Sequence, residues 1–147
     1  MSLYGFGEML PRHENRVEID PTLKDAWGIP ALRISCSYGP NERAQWKDMI
    51  ATATEMLEAA GATDITPTDE DVKPGLVIHE MGTARMGRDP RTSVLNPWNQ
   101  VWDAPNVFVT DGACMVSTAN QNPSITYMAL TARAVDHAVG LMKRKEL

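Results

Sequence analysis

Apolar side chains at Trp46, Met49, Ile50, Ala53, Met56, Leu57 and Ala60 recur every three to four residues. That period places them on one stripe of an α-helix. Asn41 stands where it can cap the first turn, and Gly61 where it can close the last. Such a stripe needs an apolar surface beneath it, and a sheet of the same domain is a commoner solution than a docked partner. The preceding residues offer one. Leu3–Leu10 is short and mostly apolar, Val17-Glu18-Ile19-Asp20-Pro21 alternates and then turns, and Ala31–Tyr38 alternates as far as Gly39-Pro40. Together these segments predict three strands.

After the helix the pattern is broken. Ile65-Thr66-Pro67 is at most a short edge strand, and residues 68–74 are polar and looped. Gly75-Leu76-Val77-Ile78 predicts a brief strand that delivers His79. From Gly87 onward, Pro90, Pro97 and Pro105 impose a loop, with room for a short strand at Gln100-Val101-Trp102. Asn106–Asp111 is apolar on both faces and rich in β-branched residues, which predicts a strand buried in a parallel sheet. Pro123 suits the first position of a long helix with Asn122 as its N-cap. Ile125, Met128, Ala132, Val135, Val139 and Met142 mark the side of that helix predicted to be buried. Lys143-Arg144-Lys145 suits its negative end. The order of strands, helix, loop, strand and helix makes an α+β fold, its last strand–helix unit α/β in character.

The chain of 147 residues is long enough for one domain with a core, and 43% hydrophobic against 22% charged residues is a globular balance. A net charge of −5 with no basic stripe argues against nucleic acid as the main partner. No window approaches the roughly eighteen apolar residues of a membrane helix. Met1-Ser2-Leu3-Tyr4-Gly5 lacks the basic start and apolar run of a secretory leader. Cys36 and Cys114 match no metal spacing. A disulfide between them or two free thiols is compatible with the sequence, the free thiols being the simpler reading.

The chemistry gathers in two places. His79-Glu80-Met81-Gly82-Thr83-Ala84-Arg85-Met86-Gly87 sets one imidazole in a loop bracketed by glycines. A neutral imidazole can accept a proton from an alcohol oxygen near neutral pH, and Gly82 and Gly87 let backbone pass close to a ligand. Arg85 can hold an anion or pair with Glu80 or Asp89. Gly82 and Gly87 also match the outer glycines of a phosphate loop, but Arg88-Asp89 follows in place of Lys-Ser/Thr. Asn120-Gln121-Asn122-Pro123-Ser124-Ile125-Thr126 is the second cluster. Asn122 can cap the helix, or point to a ligand beside the positive helix end. Asp111-Gly112 ends a strand, where α/β sheets place ligand contacts and where plain turns also occur. His13 and His137 make no metal spacing with His79, so no metal site is expected. No Gly-x-Ser-x-Gly elbow is present.

At these residues the sequence resembles the C-terminal region of the glucose-methanol-choline (GMC) oxidoreductases. The resemblance rests on His-x-x-Gly-Thr-x-x-Met-Gly at His79–Gly87, a strand ending in Asp-Gly at Val107–Gly112, and Asn-Pro-x-x-Thr at Asn122–Thr126. It implies that residues 1–147 form the family's C-terminal region. About 1–78 would be substrate-domain strands and helix, an antiparallel sheet with a packed helix. About 79–147 would hold the active-site loop and the strand and long helix that complete a flavin-binding domain. His79 and Asn122 would be catalytic, the former taking the hydroxyl proton of an alcohol or sugar and the latter bonding the same oxygen. Asp111, Gly112, Asn122, Pro123 and Thr126 would lie against FAD, which accepts hydride at N5.

One departure limits the expectation. The family's Gly-x-Gly-x-x-Gly turn has no match, because Gly5-Phe6-Gly7-Glu8-Met9-Leu10 fails at the third position and precedes no helix. The N-terminal dinucleotide-binding part is therefore expected to be missing. FAD binding by the chain alone should be weak or nil, turnover should be lost, and uncovered apolar faces and sheet edges should favour a homo-oligomer or a rearranged end strand. The alternative is a non-catalytic binding or assembly module derived from such an enzyme.

Overall fold

The computed structural model describes residues 1–68, 73–75 and 78–147. Strands β1 (Arg16–Lys24) and β2 (Pro30–Ser35) form an antiparallel hairpin, followed by helix α1 (Pro40–Ala59). Strands β3 (Gln100–Val101) and β4 (Ala104–Phe108) form a second antiparallel pair. A single 3-10 turn at Gly112–Cys114 and helix α2 (Ser124–Arg144) complete the chain. The fold is α+β, as the order of elements in the sequence implied.

In the first hairpin Val17 faces Ile34 and Ile19 faces Leu32, so alternation puts four apolar side chains on one face. That face is open to solvent. The register slips between Ile19 and Lys24, where the Asp20 carboxylate accepts from the amides of Thr22 and Leu23. These two amide bonds, with the Thr22 hydroxyl, hold the Asp20 carboxyl below its ordinary value. The hairpin tip closes on Asp25, which accepts from the amides of Trp27 and Ile29.

Leu3–Leu10 is not a third strand. It runs along α1 instead, where a side chain at Gly7 would overlap the Gln45 amide and a Cβ at Gly5 would lie 2.8 Å from Met49 Sδ. Two glycines permit that approach and offer no side chains to a sheet. The segment covers part of the α1 stripe: Leu3, Tyr4 and Gly5 border Met49, Ala53 and Met56.

Helix α1 starts one residue before Asn41, and Gly39 is its N-cap. Buried Glu42 does the capping, one oxygen accepting from the Gly39 amide at 2.7 Å and the other from the Leu10 amide at 3.0 Å. Burial pushes the Glu42 carboxyl up, but these amides, its own amide and the Asn41 side chain outweigh it, and the net displacement is downward. At the far end the Gly61 amide bonds the Glu58 carbonyl and Ala62 the Leu57 carbonyl. That is a Schellman closure, with Gly61 at φ +79 as it requires.

The core lies in the C-terminal half, where Leu95, Cys114 and Ala134 are out of water. Both cysteines are free, Cys114 buried and Cys36 exposed. Leu95 bridges to Met86 on one side and to Val101 on the other. Residues 65–67 form no strand. The strand expected at 75–78 falls partly outside the described residues. The strand expected at Asn106–Asp111 begins earlier, as β4, and its partner is antiparallel β3, so within this chain it is not buried in a parallel sheet.

The largest correction concerns α2. Ile125, Met128, Val135, Val139 and Met142 are 40–79% exposed, and Ala132 is exposed with them. The inward stripe is Tyr127, Leu130, Thr131, Ala134, His137, Ala138 and Leu141. At 100° per residue the two stripes lie roughly a third of a turn apart. The helix is apolar on two faces, and this chain covers one of them. Among the described residues no helix is long and apolar enough to cross a membrane.

Candidate functional site

The His79–Gly87 loop is held by its backbone. The Ala84 amide donates to the Ala113 carbonyl at 3.0 Å, Met86 to Cys114 at 2.9 Å and Gly87 to Leu95 at 2.9 Å. Glycine is needed where these segments cross. A Cβ on Gly112 would lie 2.9 Å from the Glu80 carbonyl oxygen, and one on Gly87 2.6 Å from Ser93 Cβ. Gly82 sits at φ +87, 3.1 Å by the same measure from the Val116 carbonyl. Gly82 and Gly87, expected to make room for a ligand, here make room for neighbouring chain.

His79 is half-buried, at the start of this clamped loop. Two residues on, Met81 meets Gly112, so the His79 loop and Asp111-Gly112 are brought together. Asp111 is exposed and accepts from the Ala113 amide at 2.9 Å, which opens the 3-10 turn. Thr110 just before it takes a hydrogen bond from Thr131 of α2 at 3.1 Å. Among the described residues no hydrogen bond joins His79 to Asn122, which is exposed.

Asn122 is not the N-cap of α2. Pro123 is already helical, at φ −89 and ψ −2, and its carbonyl takes the Thr126 amide at 2.9 Å, so the helix starts at Ser124. Pro123 is buried, while Asn122 and Thr126 are exposed. No side chain caps the helix start. A bare helix N-terminus beside an exposed amide favours an electron-rich ligand edge.

Arg85 takes neither partner expected for it. Its guanidinium donates to the Thr92 carbonyl at 2.6 Å, and Asp89 pairs with Arg91 at 2.7 Å. The Arg91 side chain, then its amide, hold the Asp89 carboxyl below its ordinary value. Cys114 is wholly buried, and that burial pushes its thiol up, with the Asn99 side chain opposing.

Sequence reasoning missed the seam between α2 and the loop at 96–99. Trp98 stacks on His137, with ring centroids 4.7 Å apart and planes 11° apart. The Arg133 guanidinium stands 5.5 Å from the Trp98 ring centre and donates to the Pro97 carbonyl at 2.6 Å. Its signal was the i, i+4 pair Arg133 and His137 on one helix face. Next to it, Asn99 is wholly buried at φ +63, a conformation asparagine tolerates, and its Nδ2 bonds the Val109 carbonyl at 3.0 Å.

Comparison with known proteins fits this frame. The GMC oxidoreductase profile matches residues 11–131, and the chain belongs to that family. A 2-methyl-1,2-propanediol dehydrogenase from Mycolicibacterium austroafricanum is 39% identical over 93% of this chain and 25% of its own length. A paromamine 6'-oxidase from Streptomyces fradiae is 34% identical over 88% of this chain and 24% of its own. The fructose dehydrogenase large subunit of Gluconobacter japonicus is 30% identical over 98% of this chain and 26% of its own. The chain thus spans about a quarter of the length of these relatives.

Proposed function

We propose that this chain is the C-terminal, active-site part of an FAD-dependent enzyme that oxidises an alcohol or sugar hydroxyl. The relatives named for 2-methyl-1,2-propanediol, paromamine and fructose fit small hydroxylated substrates. The observation that carries the reading is the clamp between the His79 loop and Asp111-Gly112. It draws two of the three motif segments onto one surface, and Thr131 brings α2, whose first turn the third segment forms, to the same place.

In this reading His79 takes the hydroxyl proton as the carbonyl forms, and Asn122 holds the same oxygen by its amide. Imidazolium at His79 then stabilises charge that lingers on that oxygen. The bare start of α2, with Asn122, Pro123 and Thr126, suits the electron-rich pyrimidine edge of a flavin, and the family resemblance would put Asp111 and Gly112 along its ribityl and diphosphate side. Bound FAD supplies the hydride acceptor. Residues to about 78 would belong to the substrate side, and those from about 79 to the flavin side.

The open faces of α2 and of the first hairpin would be covered by the part of the parent polypeptide that holds the adenine half of FAD. The test is His79→Ala in the flavin-loaded parent enzyme. General-base loss should lower kcat by about 10²–10⁴-fold with flavin retained. Full turnover in that variant would end the catalytic reading and favour a binding or assembly module.

A further inference from the structure

Helix α2 is tied to the layer beneath it on two sides. Thr131 and Arg133 are two residues apart, so their side chains leave the helix roughly 200° from one another. Thr131 Oγ1 shares its one proton between the Tyr127 carbonyl of its own helix, at 2.7 Å, and the carbonyl of Thr110, the residue before Asp111, at 3.1 Å. Arg133 reaches the other way. Its Nη2 donates to the Pro97 carbonyl at 2.6 Å and lies 3.7 Å from Met86 Sδ. The same guanidinium stands over Trp98, and His137 one turn later stacks on that indole. Met86 belongs to the His79–Gly87 loop and is pinned to the Cys114 carbonyl. Arg133 therefore links α2 to the loop that carries His79.

Ser124, the first residue of α2, lies nine residues before Arg133, about 14 Å along the helix, and Asn122 stands two residues before that start. A rigid helix that rolls or slides at Arg133 carries that movement to its start. A planar guanidinium can stack on an indole and donate to a carbonyl at once, which an ammonium cannot do in the same geometry. We propose that Arg133 is a positioning residue: it sets where the start of α2, with Asn122, sits against the His79 loop. The inference rests on the reading of His79 and Asn122 as the pair that acts on one substrate oxygen.

The test compares Arg133→Lys and Arg133→Met in the full 147-residue chain by amide NMR and far-ultraviolet circular dichroism. Arg133→Met should leave the helix signal intact. It should shift the amides of Ala84, Met86 and Gly87, and also those of Ser124, Ile125 and Thr126 at the distant helix end. Arg133→Lys, which keeps a donor for Pro97, should return part of each shift. Changes confined to Pro97, Trp98 and the turn around residue 133 would overturn the proposal. If Arg133→Met loses its helix, the lysine variant decides by the same amides. In the flavin-loaded parent enzyme, Arg133→Met should lower kcat by on the order of 10²-fold, as a misplaced group does, with KM and flavin content kept. Distant amide shifts together with full turnover in His79→Ala would leave the positional link standing and remove the catalytic reading. Missing distant shifts would remove the link whatever His79→Ala shows.

Discussion

Gly112→Ala probes the point where the His79 loop crosses Asp111-Gly112. The new Cβ would lie 2.9 Å from the Glu80 carbonyl oxygen and 2.9 Å from Met81 Sδ. The sulfur can swing away at the end of its side chain. The carbonyl is backbone, and it must retreat by about half an ångström to restore ordinary contact. Its neighbour in the chain is His79. Overpacking of this kind costs about 1–3 kcal/mol, which for a chain of this size lowers the melting temperature by roughly 2–12 °C. Differential scanning calorimetry measures it. Gly61→Ala is the comparison, because Gly61 is at φ +79 with open space around it and meets backbone strain alone. A Gly112→Ala chain that melts with the unaltered protein would refute the crossing of the His79 loop and Asp111-Gly112.

Further outcomes follow from other sites. Glu42→Gln should cost about 1–2 kcal/mol by weakening two charge-assisted bonds to amides. The Glu42 carboxyl titrates lower in the folded chain than unfolded, so its contribution is present above the unfolded value and is lost as pH falls through the folded one. Acid melting curves should therefore converge for the two proteins below the carboxylate range. Val135→Lys lies on the open face of α2 and should change stability by less than about 0.5 kcal/mol, while weakening any self-association seen by light scattering. Leu95→Ala, at the buried centre, should cost about 2–5 kcal/mol in denaturant unfolding. The isolated chain should show no tight FAD binding by flavin fluorescence or calorimetry.

Local signals in the sequence were good guides where the local chain decides the outcome. The α1 period, the Gly61 closure and the alternation of both hairpin strands all reappear in the structure. They failed where the surroundings decide. The α2 sequence carries two apolar stripes, and periodicity cannot say which one this chain covers. Leu3–Leu10 reads as a strand by composition, yet its glycines let it lie against α1. The motifs that hold His79 and Asp111-Gly112 stand out in the sequence, while the packing of those two segments on one another depends on backbone bonds such as Met86 to Cys114 that no spacing announces. Asn122 was read as a cap because Asn-Pro is common at helix starts. Pro123 takes that place, which leaves the amide exposed.

The measurement that bears most directly on the central claim is anaerobic bleaching of the flavin absorbance by a diol or sugar in the parent enzyme, with and without His79→Ala. The account predicts that both proteins hold flavin and that the variant bleaches at least about 10²-fold more slowly. Equal bleaching rates would contradict it, and would leave this chain a scaffold of the enzyme without its base.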